Sequence, residues 1–279
     1  MISRHVFSVI VALPILVLCK YLANLVPYEK QGFFCDDNEI RLPYKEDTIG
    51  SYTMLFLFAV IAVVLMIVSE YSLVKHLSKK GKRIVTESTA IHPVILTIIF
   101  FLACLLCNIY CVQTTVGFSK RTVSRLRPNF ISVCQPNLTE LCSFENSHKF
   151  IQHYRCYGEF REDEYYSFPS GHSAQAVAFG LFMIFYIQKR YKFLEPSRSF
   201  LQLALFFITV FICLSRIRDN KHRLTDVMGG ASIGAMFAWF FLRHVLKDFK
   251  LNRYETTEKE HFTEDIAYGT NCKGGYEAV

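Results

Sequence analysis

Residues 215–226 read SRIRDNKHRLTD, between apolar runs at 200–214 and 227–245. A connection this short does not need Arg216, Arg218, Lys221 and Arg223 for solubility. Cations crowded beside two greasy segments point to a site for an anion. His222 and Asp226 are four residues apart, so a helical turn there would put both on one face. A carboxylate beside an imidazole fixes its tautomer and stabilises its protonated or substituted form. The bland alternative is a membrane-flanking basic loop with a chance His–Asp pair.

The composition favours a membrane setting. Of 279 residues, 52% are hydrophobic and 26 are Phe, above the usual soluble range and clustered in long runs. Six segments have the apolarity of spanning helices, at 6–26, 52–74, 94–116, 174–188, 200–214 and 227–245. The expected fold is therefore all-α, an integral membrane protein with six transmembrane helices. The first segment lacks a small-x-small cleavage site and Lys20 interrupts its far end, so it reads as a retained span kinked at Pro14. Residues 1–250 read as one membrane domain, and 251–279 as a disordered cytoplasmic tail. The net charge of +7 accompanies no nucleic-acid motif, so no nucleic-acid partner is expected.

Charge distribution sets the expected topology. Lys75, Lys79, Lys80, Lys82 and Arg83 follow the second span, Lys189, Arg190, Lys192 and Arg198 the fourth, and Arg243, Lys247, Lys250 and Arg253 the sixth. The positive-inside rule puts these in the cytoplasm. The loops 27–51, 117–171 and 215–226 then lie together on the outer or luminal face. The sequon Asn137-Leu138-Thr139 falls in the second of these loops and is a candidate glycosylation site. Of ten cysteines, Cys35, Cys134, Cys142 and Cys156 lie on that face. Four cysteines allow three full pairings; Cys134–Cys142 is the first expectation, because both lie in one loop. Cys104, Cys107 and Cys111 have helical spacing, but no His or carboxylate joins them, so they read as packing residues rather than a metal stripe.

Two further stretches share the predicted outer face. Lys120 and Arg127 are seven residues apart, two helical turns, before Pro128. Two cations on one face suit a phosphate, and the Arg fork can bind two of its oxygens. Pro169-Ser170-Gly171-His172 precedes the fourth span. Ser170 is a good N-cap, Gly171 lets the backbone approach a ligand, and a helix starting here aims free N–H groups at an anion. His172 lies in that first turn and could donate a proton.

The order Lys-x6-Arg-Pro, Pro-Ser-Gly-His, Ser-Arg-x5-His-x3-Asp resembles the type 2 phosphatidate phosphatase superfamily, which includes lipid phosphate phosphatases and vanadium haloperoxidases. The match rests on Lys120, Arg127, Pro128, Pro169, Ser170, Gly171, His172, Ser215, Arg216, His222 and Asp226. Within it the chain resembles a lipid phosphate phosphatase, through the six-span arrangement, Gly32-Phe33-Phe34-Cys35, residues 43–48, Arg125-Leu126-Arg127-Pro128 and Asp219 with Lys221-His222. The resemblance implies a haloperoxidase-like helical core and hydrolysis of a lipid phosphomonoester without metal or other cofactor. Phosphatidate, lysophosphatidate, sphingosine-1-phosphate, ceramide-1-phosphate and diacylglycerol pyrophosphate are the implied candidates. It implies His222 as nucleophile, Asp226 on its other ring nitrogen, and His172 as acid and base. Lys120, Arg127, Arg216, Ser170 and Gly171 would hold the phosphoryl oxygens, with Asp219 orienting a basic neighbour. Arg218, Lys221 and Arg223 are expected to support the site or touch headgroups. The implied partners are the bilayer and a lipid phosphate, at the plasma membrane with an extracellular site or in an endomembrane with a luminal one; a homo-oligomer is also compatible. The competing readings are an inactive lipid-binding scaffold of the same fold and a transporter. The first should have lost motif residues, and the second should show internal symmetry.

Overall fold

The computed structural model describes residues 2–27, 29–79, 82–85, 93–142, 148–159, 162–191, 196–246 and 253–256. Long helices build it: α1 (Ile2–Leu25), α2 (Ser51–Lys79), α3 (Pro93–Val123), α6 (Gly171–Arg190), α7 (Ser197–Arg218) and α8 (Leu224–Phe240). The short helices α4 (Phe130–Cys134) and α5 (Leu138–Leu141) lie in the loop between α3 and α6. Strand β1 (Phe33–Phe34) pairs antiparallel with β3 (Phe150–Ile151), and β2 (Lys82–Val85) with β4 (Arg253–Thr256). The chain is an all-α integral membrane protein, as the hydropathy pattern predicts.

Among the described residues, four helical stretches are long and apolar enough to cross a membrane: 51–76, 94–123, 197–218 and 224–245. The described apolar part of α1 is Pro14–Leu25. Helix α6 is 20 residues long but carries more polar residues, and the reason is its position. It packs against α2, α3, α7 and α8, so protein rather than lipid covers it. Ala176, Phe179, Phe182, Met183, Tyr186 and Ile187 are buried in the main core with Phe101 of α3, Met66 of α2 and Ile212 of α7. Phe58 of α2 stacks on Phe179 with ring centroids 4.1 Å apart.

Helices α6 and α8 meet through small residues. A Cβ on Gly230 would lie 2.3 Å from the Ser170 carbonyl oxygen, and one on Gly234 2.2 Å from that of Ala174. Backbones approach this closely only with glycine, the arrangement membrane helices use in place of a hydrophobic drive. At the far end from the 215–226 loop, Glu70 of α2 is fully buried and bridged twice by Arg190, Nε to Oε1 at 2.7 Å and Nη2 to Oε2 at 2.5 Å. Tyr186 Oη donates to Glu70 Oε1 at 3.0 Å. This pair shows how a charge is accommodated inside the bundle. Removing either partner would strand a buried charge at about 3–5 kcal/mol.

The loops predicted to share a face do fold together. The β1–β3 pairing joins the first loop to the second, and the pairing of β2 with β4 joins the stretch after α2 to the tail at the opposite end. Of the tail expected to be disordered, residues 253–256 instead form β4, and residues 251, 252 and 257–279 lie outside the described residues. The disulfides correct the expectation of Cys134–Cys142: the bonds are Cys35–Cys142 and Cys134–Cys156. The N–H groups of Tyr157 and Gly158 both donate to the Cys134 carbonyl, at 2.9 and 3.1 Å, which draws Cys156 beside Cys134. Cys142 ends α5 against the first loop, where β1–β3 pairing has delivered Cys35. Phe33, Phe130, Tyr154 and Tyr165 fill a separate apolar core around these bonds.

Candidate active site

The three motifs converge at one end of the bundle, though not all by the local geometry expected. Helix α3 runs seven residues past its predicted end and carries Lys120 in its last turn. Ser124 then takes a left-handed φ of 44°, so Arg127 arrives by a turn rather than on the same helical face. The two cations still meet, on a residue that the motif reading missed. Lys120 Nζ donates to Asp163 Oδ1 at 3.3 Å, and Arg127 Nη2 donates to Asp163 Oδ2. Asp163 sits in a 3-10 turn, Glu162–Tyr165. Two backbone bonds pin this turn to the RLRP stretch: Arg127 N to Glu164 O at 3.1 Å and Ser167 N to Arg125 O at 2.8 Å. Arg127 Nε is buried and has no hydrogen-bond partner among the described residues.

Ser170 caps α6 as expected, its Oγ accepting from Ser173 N at 3.5 Å and Ser173 Oγ at 3.0 Å. The first intrahelical bond is Ala174 N to Ser170 O, so the N–H groups of Gly171 and His172 precede it and stay available to an anion. A Cβ on Gly171 would meet only Val116 Cγ1 at 3.6 Å, an ordinary contact. Packing therefore does not demand glycine there. His172 Nε2 lies 3.4 Å from Ser51 Oγ, at the start of α2. Burial pushes the His172 pKa down to about 4; Arg216 adds to this, Asp47 opposes it, and Lys120 and Arg127 lower it further.

His222 precedes α8, which begins at Leu224, and is 4% exposed. The expected hydrogen bond from its ring to Asp226 is not formed. Nδ1 lies 4.0 Å from Asp226 Oδ2 and instead meets the Ser167 carbonyl oxygen at 2.7 Å. A carbonyl only accepts, so Nδ1 carries the proton and Nε2 the lone pair. Burial holds the His222 pKa well below its ordinary value, and the charges of Arg127 and Lys120 depress it further. The ring is thus neutral at pH 7, with its Nε2 lone pair unprotonated.

Asp226 has other partners. Its Oδ2 accepts from Ser167 Oγ at 2.6 Å and from Arg223 N at 2.8 Å, and its Oδ1 from Arg125 Nη1 at 3.0 Å. The second bond closes the first turn of α8, where a carboxylate also suits the helix dipole. By fixing Ser167, Asp226 acts on His222 through the carbonyl that orients it.

Arg216 is 1% exposed and held on several sides. Its Nη2 donates to Asp219 Oδ2 at 2.8 Å and to Ile49 O at 3.2 Å, and its Nη1 to Asp47 Oδ1 at 3.0 Å. Asp219 thus orients a basic neighbour as expected; Asp47 and Ile49 come from the first loop and were missed. Lys221 stacks over the Tyr44 ring at 3.9 Å, and Arg223 bonds Glu39 Oε2 at 2.7 Å and Leu126 O at 2.9 Å. Both brace the first loop. Arg218 is exposed. Asn137 is exposed at the start of α5, where its Oδ1 accepts from Thr139 Oγ1 at 2.7 Å.

Residues 95–250 match the PAP2 superfamily. Phospholipid phosphatase 1 of Mus musculus is 30% identical over 273 residues, covering 93% of this chain and 93% of its own length. Phospholipid phosphatase 2 of Mus musculus is 30% identical over 267 residues, 89% of this chain and 91% of its own. A Drosophila melanogaster relative is 28% identical over 235 residues, which span 78% of this chain but 62% of that protein. No solved structure matches the chain.

Proposed function

The chain belongs to the PAP2 superfamily, and we propose that it is a lipid phosphate phosphatase working through a phosphohistidine without a metal ion. One observation carries the mechanism: the His222 ring, buried beside Lys120 and Arg127, has Nδ1 committed to the Ser167 carbonyl, which leaves Nε2 as the lone-pair nitrogen. In the first step His222 Nε2 attacks phosphorus and the bond to the lipid oxygen breaks. His172 gives that oxygen its proton. In the second step His172 takes a proton from water, the hydroxide attacks phosphorus, and the P–N bond breaks to release inorganic phosphate and neutral His222. Asp226, 4.0 Å away, opposes the positive charge that the ring acquires without bonding to it.

Lys120, Arg127, Arg216, Ser170 and the Gly171 N–H hold the phosphoryl oxygens. In phosphoryl transfer such positioning and charge stabilisation supply most of the catalysis. The low pKa of His172 describes the free site. A bound phosphate dianion adds the opposing charge that returns a proton to this ring. In this reading the phosphate of a phosphatidate-like lipid sits at headgroup level while its chains remain in the bilayer. The site faces the cell exterior or an organelle lumen, Asn137 carries a glycan on that face, and the plasma membrane is the expected location.

The test is phosphate release from phosphatidate in detergent micelles with chelator present, comparing the native chain with His222→Ala. We expect release by the native chain only, with the variant lowered at least about a thousandfold. Comparable release by both chains would remove His222 as nucleophile, and loss of release with chelator would require a metal mechanism.

A further inference from the structure

The superfamily match begins at residue 95, yet residues 47–51 touch Arg216 and His172. The segment carrying them is threaded between two walls. On one side Leu42 N donates to Pro128 O at 2.9 Å and Tyr44 N to Ser132 Oγ at 3.1 Å. On the other, Asn220 Nδ2 donates to Pro43 O at 2.9 Å and Lys45 Nζ to Arg218 O at 3.0 Å. Thr48 donates twice to Asp219, N to Oδ2 at 2.8 Å and Oγ1 to Oδ1 at 2.5 Å. A segment that only joined α1 to α2 would need none of these contacts.

The guanidinium has five N–H groups in a rigid plane. Four are used: Nε on Ser215 Oγ at 3.3 Å, two from Nη2 on Ile49 O and Asp219, and one from Nη1 on Asp47. Seating one Nη1 hydrogen on Asp47 fixes the direction of the other, which has no partner among the described residues and faces a ligand. Asp219, whose side chain is 4% exposed, already neutralises this buried cation. Asp47 is a second carboxylate on the open side, its side chain 42% exposed. Charge balance does not require it.

We propose that residues 42–51 form part of the active site, with Asp47 the positioning residue that aims Arg216 at the phosphoryl group and balances its charge against His172. The proposal rests on the phosphatase reading above. The groups facing His172 are Arg216 on α7, Lys120 on α3, Arg127 in the loop after it, His222 before α8, Ser51 on α2 and Asp47 in the first loop. With Asp47 neutral, the Arg216 charge acts on His172 less opposed, and His172 surrenders its proton at lower pH.

The experiment compares the full-length native chain with Asp47→Asn and Asp47→Glu, using phosphatidate in detergent micelles across pH. Asp47→Asn is expected to lower kcat roughly tenfold to a hundredfold, the usual worth of one charge-assisted hydrogen bond. It should also move the alkaline limb of kcat, where the His172 proton is lost, to lower pH. Asp47→Glu should restore most of both. In an Arg216→Lys background, Asp47→Asn should cost less than about threefold, because the two residues act as a unit. Should Asp47→Asn not accumulate, Asp47→Ser carries the same measurements. Unchanged kinetics, a loss with an unmoved pH profile, or an undiminished loss in the Arg216→Lys background would overturn the proposal while leaving the phosphatase reading intact. A native chain that releases no phosphate would overturn that reading and this proposal with it.

Discussion

Lys120 and Arg127 share the carboxylate of Asp163, and Arg216 lies between Asp47 and Asp219. Each cation proposed to hold phosphate therefore already has a carboxylate partner. Such pairing makes burial of the cations affordable, and an incoming phosphate must compete with it. Asp163 is the most exposed of these carboxylates, its side chain 58% accessible, so it is the one a ligand displaces most easily. We expect Asp163→Asn to tighten competitive inhibition by inorganic phosphate by roughly threefold, a small effect because solvent screens the lost charge. Weaker inhibition would mean that Asp163 orients the cations instead of competing for them. The sequence could not single out Asp163, which follows Lys120 by 43 residues and Arg127 by 36 within a loop of unremarkable composition. Its partners were legible because Lys-x6-Arg-Pro is a local pattern.

At the scale of elements, the contact between α6 and α8 sets the site. Ser170 N donates to Asp226 O at 2.9 Å, so the start of α6 is tied to the start of α8. Below that bond, Gly230 and Gly234 face Ser170 and Ala174 at backbone contact. A branched side chain at Gly234 would wedge the helices apart and separate His172 from His222. Gly234→Val should destabilise the protein by about 3 kcal/mol, at the upper end for overpacking, because the clash is with backbone. Thermal unfolding in detergent would register this as a lower transition, with activity falling alongside; an unchanged transition would show that the helices can yield. The sequence announced the helices through apolarity and the start of α6 through N-cap chemistry, whereas α3 ends at a left-handed Ser124 seven residues past its expected end. It did not announce that α6 is the central helix. A short, less apolar span reads the same whether it is shielded by protein or merely marginal.

At the scale of the molecule, the loops 27–51 and 117–171 fold as one layer over one end of the bundle. Cys35–Cys142 closes 107 residues of chain, and β1–β3 aligns the loops it joins. Cys35→Ser should cost about 3 kcal/mol of stability and loosen residues 42–51 against Arg216. The prediction is a lower thermal transition together with a fall in kcat, and peptide mapping without reductant should recover Cys35–Cys142 and Cys134–Cys156. Recovery of a Cys134–Cys142 peptide would contradict the layer described here. The two termini of the layer's parts lie far apart in sequence, and loop-closure entropy alone favours the nearer pairing. Packing of Phe33, Phe130, Tyr154 and Tyr165 overrides that preference.

The sequence by itself determined that the chain spans a membrane, which loops share an end, and which histidines and cations the motifs carry. These follow from apolar runs, charge asymmetry and short spacings, all properties of neighbouring residues. Only the tertiary structure decided the His222 tautomer, because the Ser167 carbonyl that sets it arrives from 55 residues away. It alone decided the disulfide pairing and the entry of Asp47, Ser51 and Asp163 into the site. Those contacts join segments whose separation along the chain is large, and their existence depends on how helices and loops pack rather than on any local pattern.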